Sequence, residues 1–297
     1  MRVLVTGSSG RVGRAVCLAL SRVHQVVGFD CSPASNTEIV ADLLDQTALN
    51  RAMAGVDAVV HIAGLHAPQV GLRSDADFQR VNVDGCRRLL EAIAAAGVHR
   101  LVYTSTTAVY GHAASLPDRA AWLDEDSEPQ PRTIYHRSKL AAEAVLREAA
   151  AQGGPATVIL RMSRCFPEAA ERMAVYRLHR GVDARDVASA HRLAVEGASQ
   201  GSRIYLISGA TPFVPEDCTE LRSQPAQVLG RRMPSLVAEF DRRQWLLPGT
   251  IDRVYFSGRA NAELGWRPQH GFEAVLEDYD QGVAEVLLPS NWPLPHR

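Results

Sequence analysis

The sequence has little of several features that mark particular classes of protein. Its 297 residues include only 5 cysteines, and no two of them form a C-x-x-C pair, so we expect neither a metal cluster nor a disulfide framework. No apolar run approaches the ~18 residues of a membrane span. The N-terminal run Val3-Leu4-Val5 is also too short for the core of a signal peptide. We therefore expect a cytoplasmic protein that contacts no membrane and binds no metal.

Neither sign of charge is in excess. Lys and Arg number 32 and Asp and Glu number 33, which gives a net charge of −1. A chain without a basic surplus is poorly suited to neutralise a phosphate backbone, so we expect no nucleic-acid partner. What the chain does have is 46% hydrophobic residues. This is enough to bury a core, in about two domains or in one large domain with an appendage.

Short apolar runs alternate with helical patterns along most of the chain. The predicted strands are 3–5, 25–29, 38–41, 57–62, 100–105, 157–161 and 203–207, and the predicted helices are 10–22, 77–96, 135–152 and 186–197. Because this alternation indicates right-handed βαβ crossovers, we predict an α/β fold with a doubly wound parallel sheet. The stretch from about 210 to 256 is rich in Pro, Arg and Trp and predicts a smaller, less regular lobe.

A glycine-rich turn joins the first strand to the first helix. Gly7 permits the tight turn, Gly10 leaves no side chain between the backbone and a pyrophosphate, and Gly13 lets helix and strand approach. The G-x-x-G-x-x-G spacing is weak on its own, and a purely structural turn is the alternative. Asp30, at the end of the second strand, can accept both ribose hydroxyls of an adenosine and would repel a 2′-phosphate. It therefore favours NAD over NADP.

Other residues near this turn leave the cofactor assignment open. Asp30 can also be read as a strand-end turn residue, and Arg11 and Arg14 could offset a 2′-phosphate at the same corner. Asp42-Leu43 follows the third strand, where we expect a contact with the adenine edge. We assign residues 1–165, with 181–208 returning to them, to an NAD-binding Rossmann domain. Residues 166–180 and 209–297 are assigned mainly to a substrate-binding lobe.

A tyrosine and a lysine lie one helical turn apart in a predicted helix. Tyr135 and Lys139 would project from the same helix face. A nearby ammonium lowers the pKa of a phenol, which would suit Tyr135 to acid–base chemistry. The alternative is a solvated helix face. The fifth strand ends upstream in a run of hydroxyl side chains, 104–107, at the sheet edge where doubly wound folds bind ligands.

Together, and in this order, these motifs resemble the extended short-chain dehydrogenase/reductase superfamily, in particular its NAD-dependent epimerase/dehydratase family. The resemblance covers nearly the whole chain. Besides the residues named above, it is carried by His61-Ile62-Ala63-Gly64, Val81-Asn82-Val83-Asp84-Gly85, Val109-Tyr110-Gly111, Leu160-Arg161, Arg185-Asp186-Val187-Ala188 and Leu264-Gly265-Trp266-Arg267-Pro268.

The resemblance implies a mechanism and a set of site residues. Tyr135, as phenolate, would remove the proton of a substrate hydroxyl while hydride leaves the same carbon for NAD. Lys139 would lower the pKa of Tyr135 and hold the nicotinamide ribose, and Thr106 would orient the substrate oxygen. Ser105 and Thr107 adjoin Thr106, so the choice among the hydroxyls rests on the family pattern. The implied cofactor contacts are Gly7, Ser9, Gly10, Arg11, Val12, Gly13, Asp30, Asp42, Leu43, Ile62, Ala63, Gly64, Asn82, Thr104, Ser105, Tyr135, Lys139 and Met162.

The connection between Arg161 and Asp186 is shorter than in family members that act on nucleotide-linked sugars. This favours a free sugar, a sugar acid or another small hydroxy compound. The segment 164–168 with Arg172 resembles uronate dehydrogenases, although Thr107-Ala108 stands where those enzymes carry Asn-His. The candidate substrate contacts are His66, Thr106, Thr107 and Arg172. A solvated loop histidine and a surface arginine are the alternatives for His66 and Arg172.

Three functions remain open at this stage. They are an NAD-dependent oxidoreductase, a nucleotide-sugar 4-epimerase in which NAD stays bound, and a regulator that senses the dinucleotide without chemistry. The set of Thr106, Tyr135 and Lys139 argues against the third. The helices predicted at 77–96 and 135–152 resemble the family's dimer face, so we expect a homodimer.

Overall fold

A seven-stranded parallel sheet organises the first two thirds of the chain. The computed structural model describes residues 1–198 and 200–289. The strand order in this sheet is β3-β2-β1-β4-β5-β7-β9, which is a doubly wound Rossmann arrangement and confirms the predicted fold class. The strands are β1 (Arg2–Thr6), β2 (Gln25–Asp30), β3 (Ile39–Val40), β4 (Ala58–His61), β5 (Arg100–Thr106), β7 (Ala156–Met162) and β9 (Ser202–Ile207), with β6 (Ala121–Leu123) outside the sheet.

Helices cover both faces of the sheet. One face packs against α1 and α7 in a core that includes Val16, Leu20 and Val187, and the other packs against α2, α4 and α5 in a core that includes Leu49, Leu89 and Leu146. The predicted strands and helices are confirmed, with ends displaced by up to a few residues. The helices of this part are α1 (Arg11–Ser21), α2 (Gln46–Ala52), α3 (Asp75–Gln79), α4 (Gly85–Ala96), α5 (Ile134–Ala151) and α7 (Ala184–Glu196).

The helix predicted at 77–96 is continuous in direction but not uniform. It starts at Asp75, and a π-helical segment at Arg80–Asp84 separates α3 from α4. Asn82 lies in this segment, and its buried side chain is directed into the protein. The helix ends at Gly97, whose φ of 67° is left-handed, as glycine permits at a helix C-cap.

The lobe after the sheet is more regular than the composition of 210–256 suggested, so that expectation was wrong. Three helices fill most of this stretch, and they pack around buried Leu229, Leu236 and Phe240. Pro225 and Pro234 begin two of them; proline is well tolerated at the first helical position. The remaining elements are β8 (Glu168–Ala169), α6 (Ala170–Tyr176), α8 (Cys218–Ser223), α9 (Pro225–Arg232), α10 (Pro234–Arg243), β10 (Arg253–Tyr255), α11 (Gly258–Glu263), α12 (Phe272–Asp280) and β11 (Val286–Leu287).

Two small pairings lie outside the central sheet, and the first of them joins the lobe to the sheet domain. The strands β6 and β10 pair, and so do β8 and β11. The division of the chain into a domain of 1–165 plus 181–208 and a lobe of 166–180 plus 209–297 stays a prediction, and residues 290–297 lie outside the described residues. Within residues 1–198 and 200–289, no helix is both long and apolar enough to cross a membrane.

The sheet topology places the candidate site. The strand β1 lies between β2 and β4. The strands that follow β1 in sequence are therefore added first on one side of it, as β2 and β3, and then on the other side, from β4 onward. Because all strands of the sheet are parallel, their carboxyl ends meet at one edge. Asp30, His61, Thr106 and Met162 end four of these strands there, at the edge where ligands bind in folds of this type.

Candidate active site

The three glycines of the turn after β1 have different reasons to be glycine. Gly7 has a φ of +76°, and a Cβ on it would lie 2.6 Å from the backbone nitrogen of Ala63. A Cβ on Gly13 would lie 1.9 Å from the carbonyl oxygen of Gly7. Gly10 differs, because its φ of −71° is open to any residue and its nearest contact would be Gly7 O at 3.4 Å. The protein itself therefore leaves room for a side chain at Gly10, which agrees with the predicted role of this glycine beside a pyrophosphate.

The helix that follows presents a free N-terminus to the same place. The helix α1 starts at Arg11, and it has neither a side-chain cap nor an acidic residue in its first turn. The N–H groups and the positive end of the helix dipole suit an anion there. Asp30 braces the turn, because its carboxylate accepts the N–H groups of Ser9 at 3.0 Å and of Ser32 at 2.9 Å. Its role on an adenosine ribose stays a prediction.

Two predicted contacts on the adenosine side have structural roles. The carboxylate of Asp42 accepts the N–H of Leu44 at 2.9 Å. The side chain of Leu43 is buried in the core, where it packs against Gly85 so closely that a Cβ there would lie 2.5 Å away. The Leu43 side chain therefore faces the core, and a contact of Asp42-Leu43 with the adenine edge stays a prediction.

The loop after β4 is held in place by Asn82. The Oδ1 atom of Asn82 accepts the N–H of Leu65 at 2.7 Å, while its Nδ2 donates to Leu65 O at 3.0 Å and to Ser138 Oγ at 2.9 Å. A Cβ on Gly64 would lie 2.8 Å from Asn82 Oδ1, so any other residue there would displace the Asn82 amide. Asn82 thus joins the Ile62–Gly64 segment to α5. The predicted contact of Asn82 with the cofactor would be made through this loop.

The predicted proton-transfer pair and its hydroxyl partner come together at the end of β5. Tyr135 and Lys139 lie on the buried face of α5, where both side chains are less than a tenth exposed. Burial raises the pKa of Tyr135, and the neighbouring Thr106 side chain acts in the opposite direction. Thr106 also caps the following turn by accepting the N–H of Ala108 at 3.1 Å. This arrangement places Thr106 next to Tyr135, and their roles toward a substrate stay predictions.

Lys139 is held by contacts with β5. Its Nζ donates to Thr104 O at 2.7 Å and lies 4.3 Å from the centroid of the Tyr103 ring. Burial lowers the pKa of Lys139 to about 8. The ammonium is thus fixed on the backbone of β5, and its effect on the pKa of Tyr135 stays a prediction. The Thr104 side chain also forms a hydrogen bond within the protein, since its Oγ1 lies 2.7 Å from His191 Nε2.

A buried ion pair between α5 and β7 was not predicted from the sequence. Glu143, one turn after Lys139, accepts hydrogen bonds from two nitrogens of Arg161, with Nη2 at 2.7 Å and Nε at 3.1 Å. Its carboxylate also accepts the hydroxyl of Ser105. Both charged side chains are at most 6% exposed. The Ser105 hydroxyl is therefore bound to Glu143, and Thr106 is the hydroxyl residue that acts on the pKa of Tyr135.

Arg11 of the glycine turn is also engaged in a way that the sequence did not indicate. Its guanidinium donates to the carbonyl oxygen of Cys165 and forms an ion pair with Glu285, with Nε 2.6 Å from the carboxylate. Cys165 follows β7, and Glu285 precedes β11 in the C-terminal segment. A spacing of 274 residues gives no local signal for this contact.

The candidate substrate residues are spread around the same edge. The ring of His66 meets the ring of Phe166 edge-on, with 6.0 Å between centroids, so the loops after β4 and β7 touch. Thr107 is buried, and its carbonyl accepts the Tyr255 hydroxyl at 3.4 Å. Arg172 lies 3.6 Å from the carboxylate of Glu168, which also binds Arg164. Roles of these residues toward a substrate stay predictions. Among the described residues, no group of three His, Cys, Asp or Glu side chains could hold a metal ion.

Comparison with known proteins assigns the family. Residues 3–177 match the model of the NAD dependent epimerase/dehydratase family. A 2-alkyl-3-oxoalkanoate reductase of Stenotrophomonas maltophilia is 33% identical over 72% of this chain and 72% of its own length. A UDP-glucose 4-epimerase of Azospirillum brasilense is 36% identical over 54% of this chain and 48% of its own length. The chain spans less than half the length of several curated relatives that it matches.

Solved structures agree with this assignment. A short-chain dehydrogenase/reductase superfamily protein from Agrobacterium tumefaciens, with bound NAD, has a TM-score of 0.69 and 25% identity over 96% of this chain and 99% of its own. The chain belongs to the NAD-dependent epimerase/dehydratase family, which confirms the resemblance drawn from the motifs. Its relatives include epimerases, a dehydrogenase and a reductase.

Proposed function

We propose that the protein is an NAD-dependent oxidoreductase that transfers hydride between the cofactor and a hydroxyl- or carbonyl-bearing carbon of a sugar, sugar acid or other small hydroxy compound. The observation that carries this proposal is the placement of Thr106 beside the buried Tyr135 side chain, at the sheet edge that also bears the glycine turn. When bound, NAD would supply the hydride acceptor, or NADH the donor. The space at Gly10 and the free N-terminus of α1 would hold its pyrophosphate.

The residues of the site divide the chemistry between them. Tyr135 exchanges a proton with the substrate oxygen, and Thr106 orients that oxygen by a hydrogen bond. The phenol would donate its proton to a carbonyl oxygen in the reducing direction, and the phenolate would accept the proton of a hydroxyl in the oxidising direction. Lys139, fixed on Thr104 O, would hold the nicotinamide ribose.

A second candidate is a nucleotide-sugar 4-epimerase with tightly bound NAD, which the Azospirillum brasilense relative supports. The short connection between β7 and α7 argues against it. That connection contains only the two-residue strand β8 and the seven-residue helix α6, which leaves little chain to enclose a nucleotide. A regulator without chemistry is disfavoured by the Thr106–Tyr135 pair.

The test is a search for net turnover with a variant that removes only the reacting atom. Purified protein is mixed with NADH and candidate carbonyl compounds, or with NAD and the corresponding alcohols, and the absorbance of reduced nicotinamide is followed. Tyr135→Phe keeps the ring packing, so folding should survive while turnover falls by about 10²-fold or more. Tyr205→Phe removes a hydroxyl that binds Glu263 and serves as the matched control.

The outcomes separate the candidates. Net oxidation or reduction supports the oxidoreductase. Interconversion of nucleotide sugars without net change in absorbance would support the epimerase instead. A Tyr135→Phe protein within tenfold of wild type would refute the assigned role of the hydroxyl.

A further inference from the structure

Arg11 is the one charged side chain inside the glycine-rich turn of residues 7–13, and it is already neutralised by the protein. It follows Gly10 directly and begins α1. Its guanidinium is held on two sides, by the carbonyl oxygen of Cys165 and by the carboxylate of Glu285. The Arg11 side chain is only 21% exposed, whereas that of Glu285 is 48% exposed. Arg11 is therefore seated within the protein, and its counter-ion stands at the surface.

The segment that carries Glu285 has its own attachment. Val286 is buried in the core of the lobe, and β11 pairs with β8 in parallel register, Val286 opposite Glu168. The position of Glu285 thus does not depend on Arg11 alone. Likewise, Arg11 would keep its bond to Cys165 O without Glu285. Removing the carboxylate would leave the cation in place and uncompensated.

From this arrangement we infer that Glu285 is an internal counter-ion that weakens the binding of a dinucleotide to the glycine turn. The pyrophosphate of NAD is an anion, and the free N-terminus of α1 that would receive it starts at Arg11. An uncompensated guanidinium beside that N-terminus would attract the pyrophosphate. Glu285 offsets this attraction, and the C-terminal segment thereby sets the affinity for the cofactor. This inference rests on the proposed binding of NAD.

The experiment measures NAD affinity by titration calorimetry for wild type, Glu285→Gln, Arg11→Gln and the double variant. Glu285→Gln should bind NAD up to about fivefold more tightly, since exposed ion pairs have modest energies. In the Arg11→Gln background, Glu285→Gln should have no further effect. Glu277→Gln on α12 removes the same charge from the same part of the chain, where Glu277 binds Gln281, and should match wild type.

A melting curve without cofactor separates this inference from a purely structural role. The ion pair joins the turn to the lobe, so Glu285→Gln should lower the melting temperature while it raises the affinity for NAD. A merely structural contact would lower both. Unchanged or weaker binding by Glu285→Gln, or an equal gain without Arg11, would overturn the inference and leave the proposed function intact. Failure of wild type to bind NAD would instead overturn the proposed function, and the inference with it.

Discussion

Replacing Gly10 by alanine should separate binding from folding. The backbone at Gly10 has a φ of −71° and a ψ of 165°, which alanine adopts without strain. The added Cβ would meet only Gly7 O, at 3.4 Å. Alanine is a poorer N-cap than glycine by roughly 0.5–1 kcal/mol, but it restricts the unfolded chain by about 0.4–1 kcal/mol. These terms nearly cancel, so the melting temperature should stay close to that of wild type.

The same methyl group should interfere with cofactor binding. It would occupy the space between the backbone and the pyrophosphate. The phosphate would then be displaced from the N–H groups of α1. A hydrogen bond to a charged group contributes about 1.5–3 kcal/mol, so loss of one such bond predicts about 10- to 100-fold weaker binding of NAD. Titration calorimetry with NAD, together with thermal melting, measures both quantities on one preparation.

Gly13→Ala is the matched control for this experiment. Its Cβ would lie 1.9 Å from Gly7 O and 2.8 Å from Gly7 C, so α1 would have to move away from β1. It should therefore destabilise the protein by at least 1–3 kcal/mol, unlike Gly10→Ala. If Gly10→Ala binds NAD within twofold of wild type at unchanged stability, the pyrophosphate does not bind in contact with the Gly10 backbone. If it unfolds the protein, our account of the space at Gly10 is wrong.

Two further predictions concern stability and assembly. Glu143→Gln leaves buried Arg161 without its counter-charge and should lower the free energy of unfolding by about 3–5 kcal/mol. Denaturant titration measures this, and a loss below 1 kcal/mol would contradict the importance of the pair. We also propose a homodimer through α3, α4 and α5, so light scattering at micromolar concentration should give twice the mass of one chain. A monomer would refute that assembly.

The fold was largely predictable because its signals are local. Each buried strand is an apolar run, and helices end where local chemistry requires it, as at Gly97 with its positive φ. The regularity of the lobe was misjudged because its proline-rich composition was taken to indicate irregular structure. Pro225 and Pro234 instead begin α9 and α10, since the first helical residue needs no intrahelical N–H bond. Composition alone cannot distinguish these two uses of proline.

The site was predictable where its residues are close in sequence and not where they are distant. Tyr135 and Lys139 share a helix face through their spacing of four, and continuing that spacing leads to Glu143, a signal that was available and unused. Its partner Arg161 lies on another strand, so the pairing depends on how α5 packs against β7. The contact between Arg11 and Glu285 depends on the path of the whole chain, because 274 residues separate them. A charge that neutralises a residue of the glycine turn can thus come from a segment far away in the sequence. Only the fold brings the two together.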